Sequence, residues 1–132
     1  MTTLVTIGQA AKQTGLSAKM IRHYEEAGLL KKANRTDAGY RLYNSQQLQQ
    51  LSFIKQARTL GFSIAQVSSL LDLWRNPQRS SKEVKQLAEQ HLDEIKQKVA
   101  ELQQMQKVLQ QLADSCCGDD QPHCAILDGL QR

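Results

Sequence analysis

The sequence predicts a mainly α-helical protein, with two helical pairs on either side of a short β hairpin and one long helix after them. Three observations carry that prediction. Apolar residues recur at spacings of three and four along most of the chain, which is the helical period. One segment breaks the pattern, where β-prone runs surround the Asn/Asp/Gly-rich stretch Ala33-Asn34-Arg35-Thr36-Asp37-Ala38-Gly39. From Ser81 to about Asp114 there is neither Gly nor Pro, so nothing interrupts a helix.

Taken in order, Thr6 is placed to cap a first helix, Ile7–Gln13, and Thr14-Gly15-Leu16 forms a tight turn. Ser17 caps a second helix that runs to about Glu26, before Gly28. Two short helices joined by a Gly-containing turn make a helix-turn-helix. In the second of them Ile21 and Tyr24 can pack inward, while Lys19 and Arg22 face outward toward a major groove. The plainer reading is a helical hairpin with solvated charges.

Leu29-Leu30-Lys31-Lys32 and Tyr40-Arg41-Leu42-Tyr43 then read as the two strands of a hairpin, or wing. Its loop offers Arg35 and its return strand offers Tyr40 and Arg41, residue types suited to phosphate contacts. A wing directly after a helix-turn-helix strengthens the nucleic-acid reading. Ser45 is expected to cap a third helix, Gln46–Leu60, with Leu48, Leu51, Ile54 and Ala57 buried. Gly61 ends it, and Ser63 opens a fourth helix to about Trp74, with Val67, Leu70 and Leu71 inward. Lys55 and Arg58 lie on the outer side of the third helix.

After Asn76-Pro77 the long helix carries Val84, Ala88, Leu92, Ile95, Val99, Leu102, Met105, Leu109 and Leu112 as one apolar stripe. A small front domain cannot cover such a length, so a partner helix is needed, and a homodimer supplies one most simply. The alternative is a helix folded back on its own chain.

Composition fits this plan. At 132 residues there is room for a modest domain or a small domain with an extension, and 5% aromatics argue against one large core. Apolar runs fall short of the ~20 residues of a membrane span, and no signal-peptide pattern opens the chain. A cytoplasmic protein with no membrane partner is expected. Residues 1–80 carry eleven Lys/Arg against four Asp/Glu, whereas residues 81–132 carry six against nine. A basic front half suits a polyanion such as nucleic acid.

The three cysteines crowd into Ser115-Cys116-Cys117-Gly118-Asp119-Asp120-Gln121-Pro122-His123-Cys124, where Gly and Pro favour a loop. In a reducing compartment such a cluster is a poor disulfide framework and reads as a metal or redox site. Cu(I) and Ag(I) are soft ions that favour thiolates, and two sulfurs on opposite sides suffice for them. Zinc usually takes four ligands. Ala125–Leu130 closes the chain as a short helix, with Ile126, Leu127 and Leu130 expected over the loop.

This order of parts, with the string Met20-Ile21-Arg22-His23-Tyr24-Glu25-Glu26-Ala27-Gly28-Leu29, the wing Asn34-Arg35 through Gly39-Tyr40-Arg41-Leu42-Tyr43 and the C-terminal cysteine loop, resembles the MerR family of transcription regulators. Cys116 and Cys124, with Gly118-Asp119-Asp120 between them, resemble the copper-efflux regulators within that family. The resemblance implies a winged helix-turn-helix DNA-binding domain over 1–76, a dimerisation helix over 77–114, and a metal-binding loop with a short helix over 115–132. It implies DNA contacts by Lys19, Arg22, Tyr24, Arg35, Tyr40, Arg41 and Arg58, and metal binding by Cys116 and Cys124. It also implies a homodimer on double-stranded promoter DNA that works with RNA polymerase, bending and underwinding the promoter when Cu(I), Ag(I) or Au(I) binds.

Two departures keep a Zn(II) regulator open: Cys117 adds a third thiol, and His123 sits beside Cys124. Against zinc stands Ser81, where the family's divalent-metal sensors typically carry cysteine. A copper chaperone would leave the basic front half idle. A thiol redox enzyme would need a low-pKa thiolate, whereas Cys116-Cys117 follows the end of a helix close to Asp114, Asp119 and Asp120. The sequence is therefore read as a regulator and not an enzyme.

Overall fold

The computed structural model describes residues 4–31 and 33–131. Helix α1 (Ile7–Thr14) begins at a reciprocal cap: the Thr6 hydroxyl accepts the Gln9 N–H at 3.2 Å, and Gln9 Oε1 accepts the Thr6 N–H at 2.9 Å. It stops at Gly15, whose φ of 77° a side chain would strain. The Lys55 side chain also lies against Gly15, so a Cβ there would collide with it. Helix α2 (Ala18–Glu26) starts where the Ser17 hydroxyl accepts the Met20 N–H at 3.1 Å.

A three-stranded antiparallel sheet follows, β1 (Val5–Thr6), β2 (Asn34–Arg35) and β3 (Arg41–Tyr43), in the order β1-β3-β2. Val5 stands opposite Tyr43, and Arg35 opposite Arg41. This corrects the expected wing. Leu29 and Leu30 form no strand; they are core residues, 2% and 4% exposed. A strand alternates its faces and would bury only one of two adjacent leucines. The outgoing strand lies instead at Asn34–Arg35, inside the stretch read as loop, and Lys32 of the expected strand falls outside the described residues.

Helix α3 (Ser45–Thr59) is capped by Asn44 rather than Ser45. Asn44 Oδ1 accepts the Gln47 N–H at 2.8 Å, and Gln47 Oε1 accepts the Asn44 N–H at 2.7 Å. Helix α4 (Ile64–Arg75) opens on Ser63 with the same reciprocal cap to Gln66. Ile21, Tyr24, Tyr43, Leu51, Ile54, Val67 and Leu71 make the centre of the core, so α2, β3, α3 and α4 hold one another in place.

Helix α5 (Ser81–Ser115) runs for 35 residues, a length of about 50 Å at the usual rise. Helix α6 (Ala125–Leu130) follows the cysteine loop. The chain divides into two compact units, one reaching to Leu87 and one starting at Ala88. In the second unit Leu92, Ile95, Val99, Leu102, Met105, Val108 and Leu109 are all exposed in the single chain. Gly129 brings α6 against Leu112 so closely that a Cβ would clash with the leucine side chain. Leu127 and Leu130 do not cover the loop as expected: both are exposed, and Leu130 lines an open apolar groove with Met105, Val108, Leu109 and Leu112. No helix among the described residues is long and apolar enough to cross a membrane.

Candidate DNA-binding surface and metal loop

Helix α2 leaves Lys19 and Arg22 exposed while Ile21 and Tyr24 go to the core, as the three-residue spacing requires. Tyr24 is only 2% exposed, so it has no surface to offer a phosphate and leaves the set of candidate DNA contacts. Packing claims that side chain. Tyr40, by contrast, stands on the wing at 71% exposure.

Three of the candidate arginines, Arg35, Arg58 and Arg41, share a feature that spacing does not reveal: each is tied to its own scaffold by one nitrogen. Arg35 Nη1 donates to the Gly39 carbonyl at 2.8 Å, across the wing turn. Arg58 Nη1 donates to the Phe62 carbonyl at 2.8 Å, across the turn between α3 and α4. Arg41 Nε lies 3.3 Å from Glu25 Oε2. A guanidinium has several further N–H donors, so an anchored arginine can still reach a phosphate with less side-chain entropy to lose.

Glu25 is the residue that sequence reasoning missed. It is 9% exposed, and its Oε2 accepts the Tyr43 hydroxyl at 2.9 Å while its Oε1 accepts the Ala33 N–H at 3.1 Å. Burial first, then that hydrogen bond, push the Tyr43 phenol up from its ordinary value, which keeps it the donor. The only hint in the sequence was position: of the two acidic residues that end α2, Glu25 falls four places after the inward-facing Ile21, while Glu26 is exposed.

In the loop, Cys116 follows the last turn of α5 and Cys124 is the cap residue of α6. Their sulfurs lie 3.6 Å apart, both half-buried. The chain reverses between them through Gly118 at φ 65° and a turn in which Asp119 Oδ1 accepts the Gln121 N–H at 3.0 Å. The Leu127 N–H, then the Cys116 thiol, hold the Cys124 thiol below its ordinary value, although burial and the Asp128 charge oppose them. The sequence had weighed only the acidic surroundings and the helix end before Cys116. Cys124 instead sits at the start of a helix, where N–H groups favour thiolate.

Cys117 is exposed, and His123 Nδ1 lies 3.5 Å from Asp128 Oδ2 with 79% of its side chain in solvent. Among the described residues no three His, Cys, Asp or Glu side chains converge as a metal site. Ser81 is the exposed first residue of α5. Two sulfurs this close fit a soft ion, which needs few but polarizable donors.

Comparison with known proteins agrees with this layout. The family model described as MerR family regulatory protein matches residues 6–43, and the one described as MerR, DNA binding matches residues 48–112. The chain is 48% identical over 126 residues to a probable heavy metal-dependent transcriptional regulator of Haemophilus influenzae, covering 96% of this chain and 98% of that protein. It is 40% identical over 126 residues to the HTH-type transcriptional regulator CueR of Salmonella typhimurium, covering 96% and 91%. Among solved structures, the lead(II) complex of the transcription regulator PbrR691 from Ralstonia metallidurans superposes with a TM-score of 0.82 at 30% identity, covering 96% of this chain and 98% of that one. With a helix-turn-helix, a wing and a second helical pair matched over both models, the chain belongs to the MerR family of transcription regulators, DNA-binding proteins rather than enzymes.

Proposed function

We propose that this protein is a cytoplasmic copper-responsive activator, which binds promoter DNA as a homodimer and responds to Cu(I), or to Ag(I) or Au(I), through Cys116 and Cys124. The observation that carries the reading is the 3.6 Å approach of the two sulfurs across the turn. Its closeness to a CueR over nearly the whole chain supports the same ion class. A monovalent d10 ion held there supplies a thiolate clamp between the end of α5 and the start of α6.

The chain's own residues do the rest. Lys19 and Arg22 enter the major groove from α2, and Arg35, Tyr40, Arg41 and Arg58 bind backbone phosphates around it. The exposed stripe of α5 packs on a second copy, which sets the spacing of two half-sites. Switching then requires that the two DNA-bound arrangements of the dimer differ in metal affinity, and RNA polymerase reads the difference. Ser81 acts as a selectivity residue across the dimer: where the start of the second copy's α5 lies over the loop, its serine hydroxyl is a weak donor at the place where a thiolate would complete a zinc site.

The test is transcription from the cognate promoter at buffered free Cu(I) and Zn(II), in the original protein and in Ser81→Cys. Induction by Cu(I) alone, with zinc induction gained by Ser81→Cys, is expected. Strong zinc induction of the original protein would overturn the copper assignment and promote Cys117 and His123 to ligands.

A further inference from the structure

Glu25 has three partners, and each lies on a part of the chain that must keep its place for the wing to work. Its own backbone is in α2, directly after Arg22 by one helical turn. Oε1 accepts the N–H of Ala33, just before β2. Oε2 accepts the buried Tyr43 hydroxyl and faces Arg41 Nε, both on β3. A buried carboxylate without such partners would be costly, and here every lone-pair direction used is directed at the wing.

The Arg41 contact has a particular geometry. Nε, the inner nitrogen, is buried and makes no hydrogen bond among the described residues, only the 3.3 Å ion pair. The side chain as a whole keeps 21% exposure, so the outer end of the guanidinium reaches solvent. The charge is held from behind.

We infer that Glu25 is a positioning residue for DNA binding, which grips Arg41 by its inner nitrogen and so aims the outer guanidinium at a backbone phosphate beside the groove that α2 enters. Glu25 thereby sets the register between recognition helix and wing. This rests on the reading of Arg41 as a phosphate contact, and the two can fail separately.

The experiment measures promoter affinity and its salt dependence for Arg41→Ala, Arg41→Lys, Glu25→Gln and the Glu25→Gln/Arg41→Ala pair, with thermal unfolding alongside. Arg41→Ala should weaken binding about tenfold and flatten the salt slope by about one. Arg41→Lys should lose nearly as much, because lysine keeps the charge but cannot be held at an inner nitrogen while presenting an outer fork. Glu25→Gln should lose most of the same affinity and slope, and the pair should be no weaker than Arg41→Ala alone. Tyr43→Phe, which leaves the Arg41 contact in place, should keep the salt slope.

Full affinity in Arg41→Ala would end the reading of Arg41 as a contact, and this inference with it. A loss in Arg41→Ala with none in Arg41→Lys would overturn the inference alone. So would additive losses in the pair, or tighter binding by Glu25→Gln, which would make Glu25 a brake. Should Glu25→Gln fail to fold, the Arg41→Lys result still decides.

Discussion

The two units of the chain solve the problem of apolar surface in opposite ways. In the first, Ile21, Tyr43, Leu51, Ile54, Val67 and Leu71 are fully or almost fully buried, drawn from a strand and three helices. In the second, a single long helix displays Leu102 and Met105 at 62% exposure and Leu109 at 56%. A contiguous apolar stripe of that kind marks an interaction surface. The first unit buries its own apolar side chains, and in the proposed reading it would meet DNA with side chains fixed to that frame. The second is built to be completed by something else, and it carries the thiols on a short loop, where a small shift has little packing to overcome.

The sharpest way to break this contrast is Leu102→Asp. In a second-copy interface it would bury an unpaired charge, costing roughly 3–5 kcal/mol, and sedimentation should show dimer falling to monomer. An unmodified protein that sediments as a monomer would remove the contrast altogether.

Next comes separation of function between the units. Cys116→Ser or Cys124→Ser should abolish the transcriptional response to Cu(I), because a hydroxyl is a hard and poor ligand for that ion. DNA affinity without metal should stay unchanged, since neither residue lies in the first unit. Cys117→Ser should keep most of the response. Equal losses from all three would point to a three-thiolate site.

The smallest expected effect is local. Gly129→Ala drives a methyl into Leu112 and should weaken the seating of α6 by about 1–3 kcal/mol, the usual cost of overpacking. Hydrogen exchange at the Asp128 amide, which donates to the Cys124 carbonyl at 3.0 Å, should speed up accordingly. Unchanged protection there would mean that Leu112 gives way freely.

The same division governs what could be read from the sequence. Helix starts at Thr6, Ser17 and Ser63 were legible because capping is local chemistry. Asn44 was passed over for its neighbour Ser45, although Asn44 has glutamine three residues on at Gln47 while Ser45 has Leu48. The long helix was legible from its period and its freedom from breakers. The wing was misplaced by several residues because tertiary demand overrode local preference: Leu29 and Leu30 were wanted in the core. Tyr24 could be read two ways, and only burial decides between packing and contact. Glu25 was out of reach, since its partners lie 8 and 18 residues away for Ala33 and Tyr43. The cysteine pair was visible as spacing and the short helix after Cys124 as a segment, but the 3.6 Å approach of the two sulfurs was not.

If Cys116 and Cys124 hold a soft ion as proposed, the reversal at Gly118 would make the two thiols one chelating unit. Sulfurs only eight residues apart, folded to 3.6 Å by a left-handed glycine and an Asp119 turn, present a second donor at a local concentration far above any free thiol in solution. An ion captured by either sulfur would then meet the other before it could diffuse away. Chelation of this kind slows release more than it speeds capture, so the occupied state would outlast brief swings in the free metal around it.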